Sequence, residues 1–101
     1  MANLLSSSEK KRSVAPQMIT RIQIKCDVGF GNFLTIRGNG ANLSWNKGVS
    51  LKNINDDEWI FETNKAFSEI EFKILINDLN YEVGPNRSIK YGNYLQYHPQ
   101  F

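Results

Sequence analysis

The chain has 101 residues, 41% of them hydrophobic and 22% charged. That is enough for one small domain, whose folding buries only about 60–65% of the unfolded surface and leaves little apolar area for a deep catalytic cleft. Its net charge of +2 is already present in Glu9, Lys10, Lys11 and Arg12, so the rest of the chain is balanced and lacks the basic face that a nucleic-acid partner requires.

Residues 1–17 are rich in serine and charge, include Pro16 and sustain no period; they read as a disordered tail ahead of a domain over 18–101. The tail lacks the apolar stretch of a secretory leader, and no run in the chain is long enough to cross a membrane. A cytoplasmic setting with no membrane partner is therefore expected. From Met18 the pattern changes: Thr20, Ile22, Ile24 and Cys26 alternate with Arg21, Gln23 and Lys25, as in a half-buried strand. The lone Cys26 has no partner for an intramolecular disulfide and reads as a buried thiol on that strand's inner face.

Gly29-Phe30-Gly31-Asn32 is a turn, Phe33 to Arg37 a second strand, and Gly38-Asn39-Gly40 a break. A loop carrying Leu43, Ser44, Trp45 and Gly48 leads to an apolar segment at Val49 and Leu51, and Asn53 to Asp57 turn again. Glu58 to Thr63 alternates through Trp59 and Phe61, with Trp59 assigned to the core. Glu69 to Ile76 sets Ile70, Phe72, Ile74 and Ile76 opposite Glu69, Glu71 and Lys73. Asn77-Asp78 is a hairpin turn into Leu79 to Val83, and Gly84-Pro85-Asn86 turns into a last strand at Arg87 to Lys90. Short alternating strands at roughly ten-residue spacing, with no helical segment, predict an all-β fold: an antiparallel immunoglobulin-like β-sandwich of about seven strands.

Catalytic signatures do not assemble. The single histidine, His98, lies near the C-terminus with no triad around it. One cysteine and one histidine fall short of a zinc site, so no metal or cofactor is expected. Gly38-Asn39-Gly40 begins like a dinucleotide fingerprint, but the third glycine and the following helix are missing. Asp56 and Asp57 read as turn formers. The chain is expected not to be an enzyme.

One stretch carries a positive signal. Phe72-Lys73 on a strand is followed by Tyr81-Glu82 and then by Pro85-Asn86-Arg87. This order resembles the starch-binding modules, carbohydrate-binding module families twenty and forty-eight, in which a Phe-Glu-Tyr-Lys-Phe strand precedes Trp-Glu and Pro-Asn-Arg. Leu43-Ser44-Trp45 with Val49-Ser50-Leu51 is similar to the family's Leu-Gly-Asn-Trp loop and the apolar segment after it. The resemblance implies a starch-binding-domain-like sandwich that binds an α-glucan polysaccharide or oligosaccharide. Its first site would use Trp45 and Tyr81 as aromatic platform, with Lys73, Glu82 and Asn86 hydrogen-bonding to hydroxyls. Tyr81 stands where the family usually has tryptophan. Phe30 stands where the family's second site has tyrosine, so two-site binding is not expected.

The chemistry agrees with the resemblance, since a pyranose offers a C–H face to a flat ring and a hydroxyl rim to planar polar groups. Competing structural roles exist for each residue: Trp45 capping the sandwich end, Tyr81 an ordinary strand residue, Lys73 pairing with Glu71 or Glu82, Asn86 holding its turn. The alternative function is a protein-interaction module on the same sandwich, with a protein partner in place of the sugar.

Overall fold

Alternation of apolar and polar side chains builds both sheets of this protein. The structure is a computed structural model that describes residues 18–101, and residues 1–17, read above as a disordered tail, lie outside the described part. Among the described residues nine strands follow in order: β1 Thr20–Lys25, β2 Leu34–Asn39, β3 Val49–Ser50, β4 Lys52–Asn55, β5 Glu58–Thr63, β6 Glu69–Ile76, β7 Asn80–Tyr81, β8 Arg87–Lys90 and β9 Tyr94–Tyr97. The fold is all-β, two layered sheets forming a sandwich.

The first sheet has the order β9-β1-β5-β4. Strands β1 and β5 are antiparallel from Thr20↔Thr63 to Lys25↔Glu58. That register places Ile22 and Ile24 beside Phe61 and Trp59 on the inner face. The second sheet has the order β3-β2-β6, and β6 carries two partners on its far edge. β8 covers one half through Glu69↔Lys90 to Phe72↔Arg87, and β7 the other through Leu75↔Tyr81 and Ile76↔Asn80.

Between the sheets, Ile22, Ile24, Cys26, Trp59 and Phe61 meet Leu34, Ile36, Ile70, Phe72, Ile74 and Ile89, with Leu51 at the crossing from one sheet to the other. Each fully buried Ile, Leu or Phe contributes about 1.5–3 kcal/mol. The Trp59 indole N–H donates to the Cys26 carbonyl at 3.1 Å, so a large ring enters the core without an orphaned donor. Burial pushes the Cys26 thiol up.

Two differences from the sequence reading bear on the site. β2 runs on through the expected break, because Gly38 and Asn39 stay paired with Phe72 and Glu71. Glycine is needed there, since a Cβ on Gly38 would collide with the Glu71 carbonyl. β9 was not expected, and its pairing with β1 is parallel: Leu95↔Ile22 and Tyr97↔Ile24 put both side chains on the inner face.

Candidate functional site

The site is built on the outer face of the second sheet, where the β6–β7 hairpin meets the loop from Leu43 to Gly48. In the hairpin turn, Asn77 and Asp78 have φ of 55° and 56°, a left-handed pair that short polar side chains tolerate. Leu79 N–H closes the turn on the Ile76 carbonyl at 3.0 Å. A glycine would satisfy the backbone at position 78 more cheaply, but it could not do what the carboxylate does.

Asp78 is a hub. Its Oδ1 accepts from Thr35 Oγ1 at 2.9 Å and from Arg37 Nε at 2.9 Å; its Oδ2 accepts from Arg37 Nη2 at 3.0 Å and from the Gly48 N–H at 3.2 Å. A Cβ on Gly48 would run into that carboxylate and into Thr35. The two-pronged contact fixes the guanidinium plane, and Arg37 Nη1 then reaches the Trp45 carbonyl at 3.1 Å and the Tyr81 hydroxyl at 3.3 Å. The guanidinium carbon also lies 5.9 Å from the Tyr81 ring centroid. Two of the sequence-derived residues, Trp45 and Tyr81, thus share one arginine nitrogen. Tyr81 is 45% exposed and Trp45 is half-buried. Beneath them Leu75, cross-strand from both Thr35 and Tyr81, is fully buried although it faces away from the core between the sheets.

Lys73 stands on the same face, cross-strand from Arg37. Its Nζ donates to the Glu82 carbonyl at 3.0 Å and to the Gly84 carbonyl, stitching down the loop that leads to Asn86. Asn86 is exposed, and its Nδ2 donates to Glu71 Oε2 at 3.0 Å.

Glu82 does not join this surface. Successive strand residues point to opposite faces, so with Tyr81 outward Glu82 turns in, where it is 1% exposed. Its carboxylate accepts from the Ile74 N–H at 2.7 Å, the Tyr97 hydroxyl at 2.7 Å and Arg87 Nε at 2.9 Å. Between β7 and β8 the edge of β6 has no partner strand, and this carboxylate satisfies the Ile74 N–H there in place of a backbone carbonyl. Burial and then the Glu82 carboxylate push the Tyr97 phenol far above its ordinary value. The expectation that Glu82 bonds to a sugar hydroxyl through its side chain is therefore corrected: the carboxylate is interior and braces the loop that carries Asn86.

The chain is similar to part of a solved Glycoside Hydrolase Family 15 Glucoamylase from Hypocrea jecorina, with a TM-score of 0.69 and 17% sequence identity. That likeness is one of fold. The match covers 97% of this chain and 20% of the glucoamylase, so the chain spans about a fifth of that protein's length. No family model and no curated protein matches.

Arg37, Asp78 and Thr35 are residues of the site that sequence reasoning missed. Each alone is ordinary for an outward strand position or a turn, and the only available signal was that Arg37 and Lys73 both interrupt apolar strands on their polar face. Phe30, by contrast, projects fully into solvent at the tip of its loop, above a shallow depression that includes Asn32, Asn53, Asp56 and Trp59. Among the described residues, no group of three or more His, Cys, Asp or Glu side chains is placed to hold a metal.

The Asp78 carboxyl is held well below the usual carboxylate range, first by Arg37 and then by Thr35 and the Gly48 N–H, against the opposing effect of desolvation. A carboxyl depressed in the folded state adds stability above its unfolded pKa of about 3.9, and that increment is lost as the pH falls towards the folded value. Urea unfolding of the wild-type protein should therefore weaken steeply below about pH 4, and Asp78→Asn should flatten that acid limb. Parallel acid limbs for the two proteins would refute the assignment.

Proposed function

We propose that this protein is a non-catalytic module that binds an α-glucan, of glycogen or starch type, through Trp45 and Tyr81 with Lys73 and Asn86 at the rim. The observation that carries the reading is that Arg37 Nη1 bonds both the Trp45 carbonyl and the Tyr81 hydroxyl, drawing two accessible aromatic residues together on one face. The fold likeness to part of a glucoamylase supports a polysaccharide as the partner class. A pyranose stacks its C–H face on such rings. Arg37 meets Tyr81 at its hydroxyl end, with the guanidinium carbon 5.9 Å from the ring centroid, which leaves the ring face to the sugar.

Polar groups then choose the hydroxyl pattern. Lys73 commits two of its three ammonium hydrogens to backbone carbonyls and keeps one for a ligand, and Asn86 keeps its amide oxygen as an acceptor. Glu82 contributes through its position in the loop rather than through its carboxylate. A shallow site with two rings and few hydrogen bonds gives a Kd on the order of 0.1 mM for a maltoheptaose-length ligand. Calorimetric titration with maltoheptaose, followed by amide shifts, tests this; the absence of shifts around Trp45 and Tyr81 at millimolar sugar sinks it. Release of reducing sugar from glycogen would sink the non-catalytic part.

A second reading, a protein-interaction module, draws on Leu79 and Val83. They flank Tyr81 at alternate positions and are 76% and 59% exposed, a small apolar row that a protein partner would cover. Retention on glycogen beads that is lost on competition with maltoheptaose favours the glucan over this alternative.

A further inference from the structure

We propose that Arg37 is the positioning residue of this site: it touches no sugar, but holds the Trp45 loop and the Tyr81 ring at the separation a glucan chain needs to engage both. The inference rests on the glucan reading and adds to it the origin of preference for longer chains.

The argument is a donor count. A guanidinium carries five N–H hydrogens, and all five of Arg37's have acceptors within the protein: Nε on Asp78 Oδ1, Nη2 on Asp78 Oδ2 and on the Asp78 carbonyl at 3.1 Å, and Nη1 on the Trp45 carbonyl and the Tyr81 hydroxyl. None is left for a ligand, although the side chain lies directly between the two aromatic residues. Its acceptors come from the β6–β7 turn, the loop after β2, and β7. A single planar cation therefore ties the β6–β7 hairpin, through both Asp78 and Tyr81, to the separate loop that carries Trp45. The loop is tied a second time to the same carboxylate through the Gly48 N–H. Arg37 also makes the Tyr81 hydroxyl an acceptor, which leaves its own hydrogen free to donate outward.

Lysine cannot replace this clamp, since a point-like ammonium on a flexible stem cannot reach the Asp78 carboxylate, the Trp45 carbonyl and the Tyr81 hydroxyl together. Arg37→Lys would keep the charge against Asp78 and release the rings from each other. A ligand that touches one ring would not sense the change, whereas a ligand bridging both would lose the benefit of pre-set spacing.

The test uses the full chain, with glucose as the one-ring ligand and maltoheptaose as the bridging one, and with amide hydrogen exchange as a sugar-independent readout. In the wild-type protein maltoheptaose should bind at least about tenfold tighter than glucose; in Arg37→Lys that ratio should fall to about threefold or less, with glucose affinity changed by under about twofold. Exchange should quicken at least about tenfold around Asn46 to Gly48 and Leu79 to Tyr81, and stay unchanged in β1 and in β6 from Ile70 to Ile74. Tyr81→Phe, which removes one of Arg37's acceptors and keeps the ring, should give a smaller shift in the same direction. A preserved ratio with unchanged loop exchange overturns the proposal, as does an equal loss for both sugars with faster exchange throughout the sandwich. Should the wild-type protein bind neither sugar, the glucan reading fails and with it the sugar-spacing role; the loop exchange then decides whether the clamp itself exists.

Discussion

Glu82→Ala is expected to lower the unfolding free energy by about 4 kcal/mol, and Glu82→Gln by about 2 kcal/mol. Alanine leaves the Ile74 N–H and the Tyr97 hydroxyl without acceptors in the interior and removes the partner of Arg87. Each orphaned buried donor costs about 1–3 kcal/mol. Glutamine retains one oxygen, which can serve Ile74 and Tyr97 together because both bond Oε2; its amide group then faces the Arg87 donor, and the arginine, 40% exposed, keeps its stacking on the Tyr97 ring at 3.8 Å and turns its Nε to water. For a domain of this size 1 kcal/mol corresponds to about 4–8 °C in Tm. Thermal and urea unfolding followed by circular dichroism should place the alanine variant some 20 °C below wild type, with glutamine between them. An alanine variant within about 1 kcal/mol of wild type would mean that water replaces the carboxylate at no cost, and the account of Glu82 as a ladder substitute would be wrong.

Trp45→Ala should reduce maltoheptaose affinity at least about thirtyfold, the equivalent of a 2 kcal/mol contact from a central aromatic anchor. The fold should tolerate the change, with a stability loss of about 1 kcal/mol or less, because Arg37 bonds the Trp45 backbone carbonyl and not its ring. This separates the platform from its support: the alanine variant keeps the clamp and loses the surface. Isothermal titration paired with a urea melt reads both quantities on one sample. Full retention of affinity would move the binding face away from Trp45 altogether.

How far the sequence could carry these conclusions depends on the range over which each feature is encoded. Ile22 to Cys26 and Ile70 to Ile76 were legible because period-two alternation is local and their inner faces are uniformly apolar. The segment from Tyr94 to Tyr97 was not, since its partner is β1, more than seventy residues away, and a parallel pairing leaves no hairpin turn as a marker. Glu82 shows a different failure. The aromatic-acidic pair was read as one functional unit from its resemblance to a family motif, yet the same alternation that identified the strands puts positions 81 and 82 on opposite faces. Arg37 and Asp78 were invisible as a pair: 41 residues separate them, and only the β2–β6 register together with a left-handed turn brings the carboxylate over the guanidinium. The aromatic residues of the candidate site could therefore be named from sequence as a proposal, whereas the side chains that hold them had to be seen.

The parallel union of β9 with β1 has a mechanical consequence. A load that draws Thr20 and Tyr97 apart acts along neighbouring strands in opposite senses, so the rungs from Tyr94↔Arg21 to Tyr97↔Ile24 are stressed in shear and must give way together rather than peel one by one. Tyr97 is further latched across the interior to Glu82. A sandwich loaded through these two strands would, by this arrangement, resist tension along both of them together.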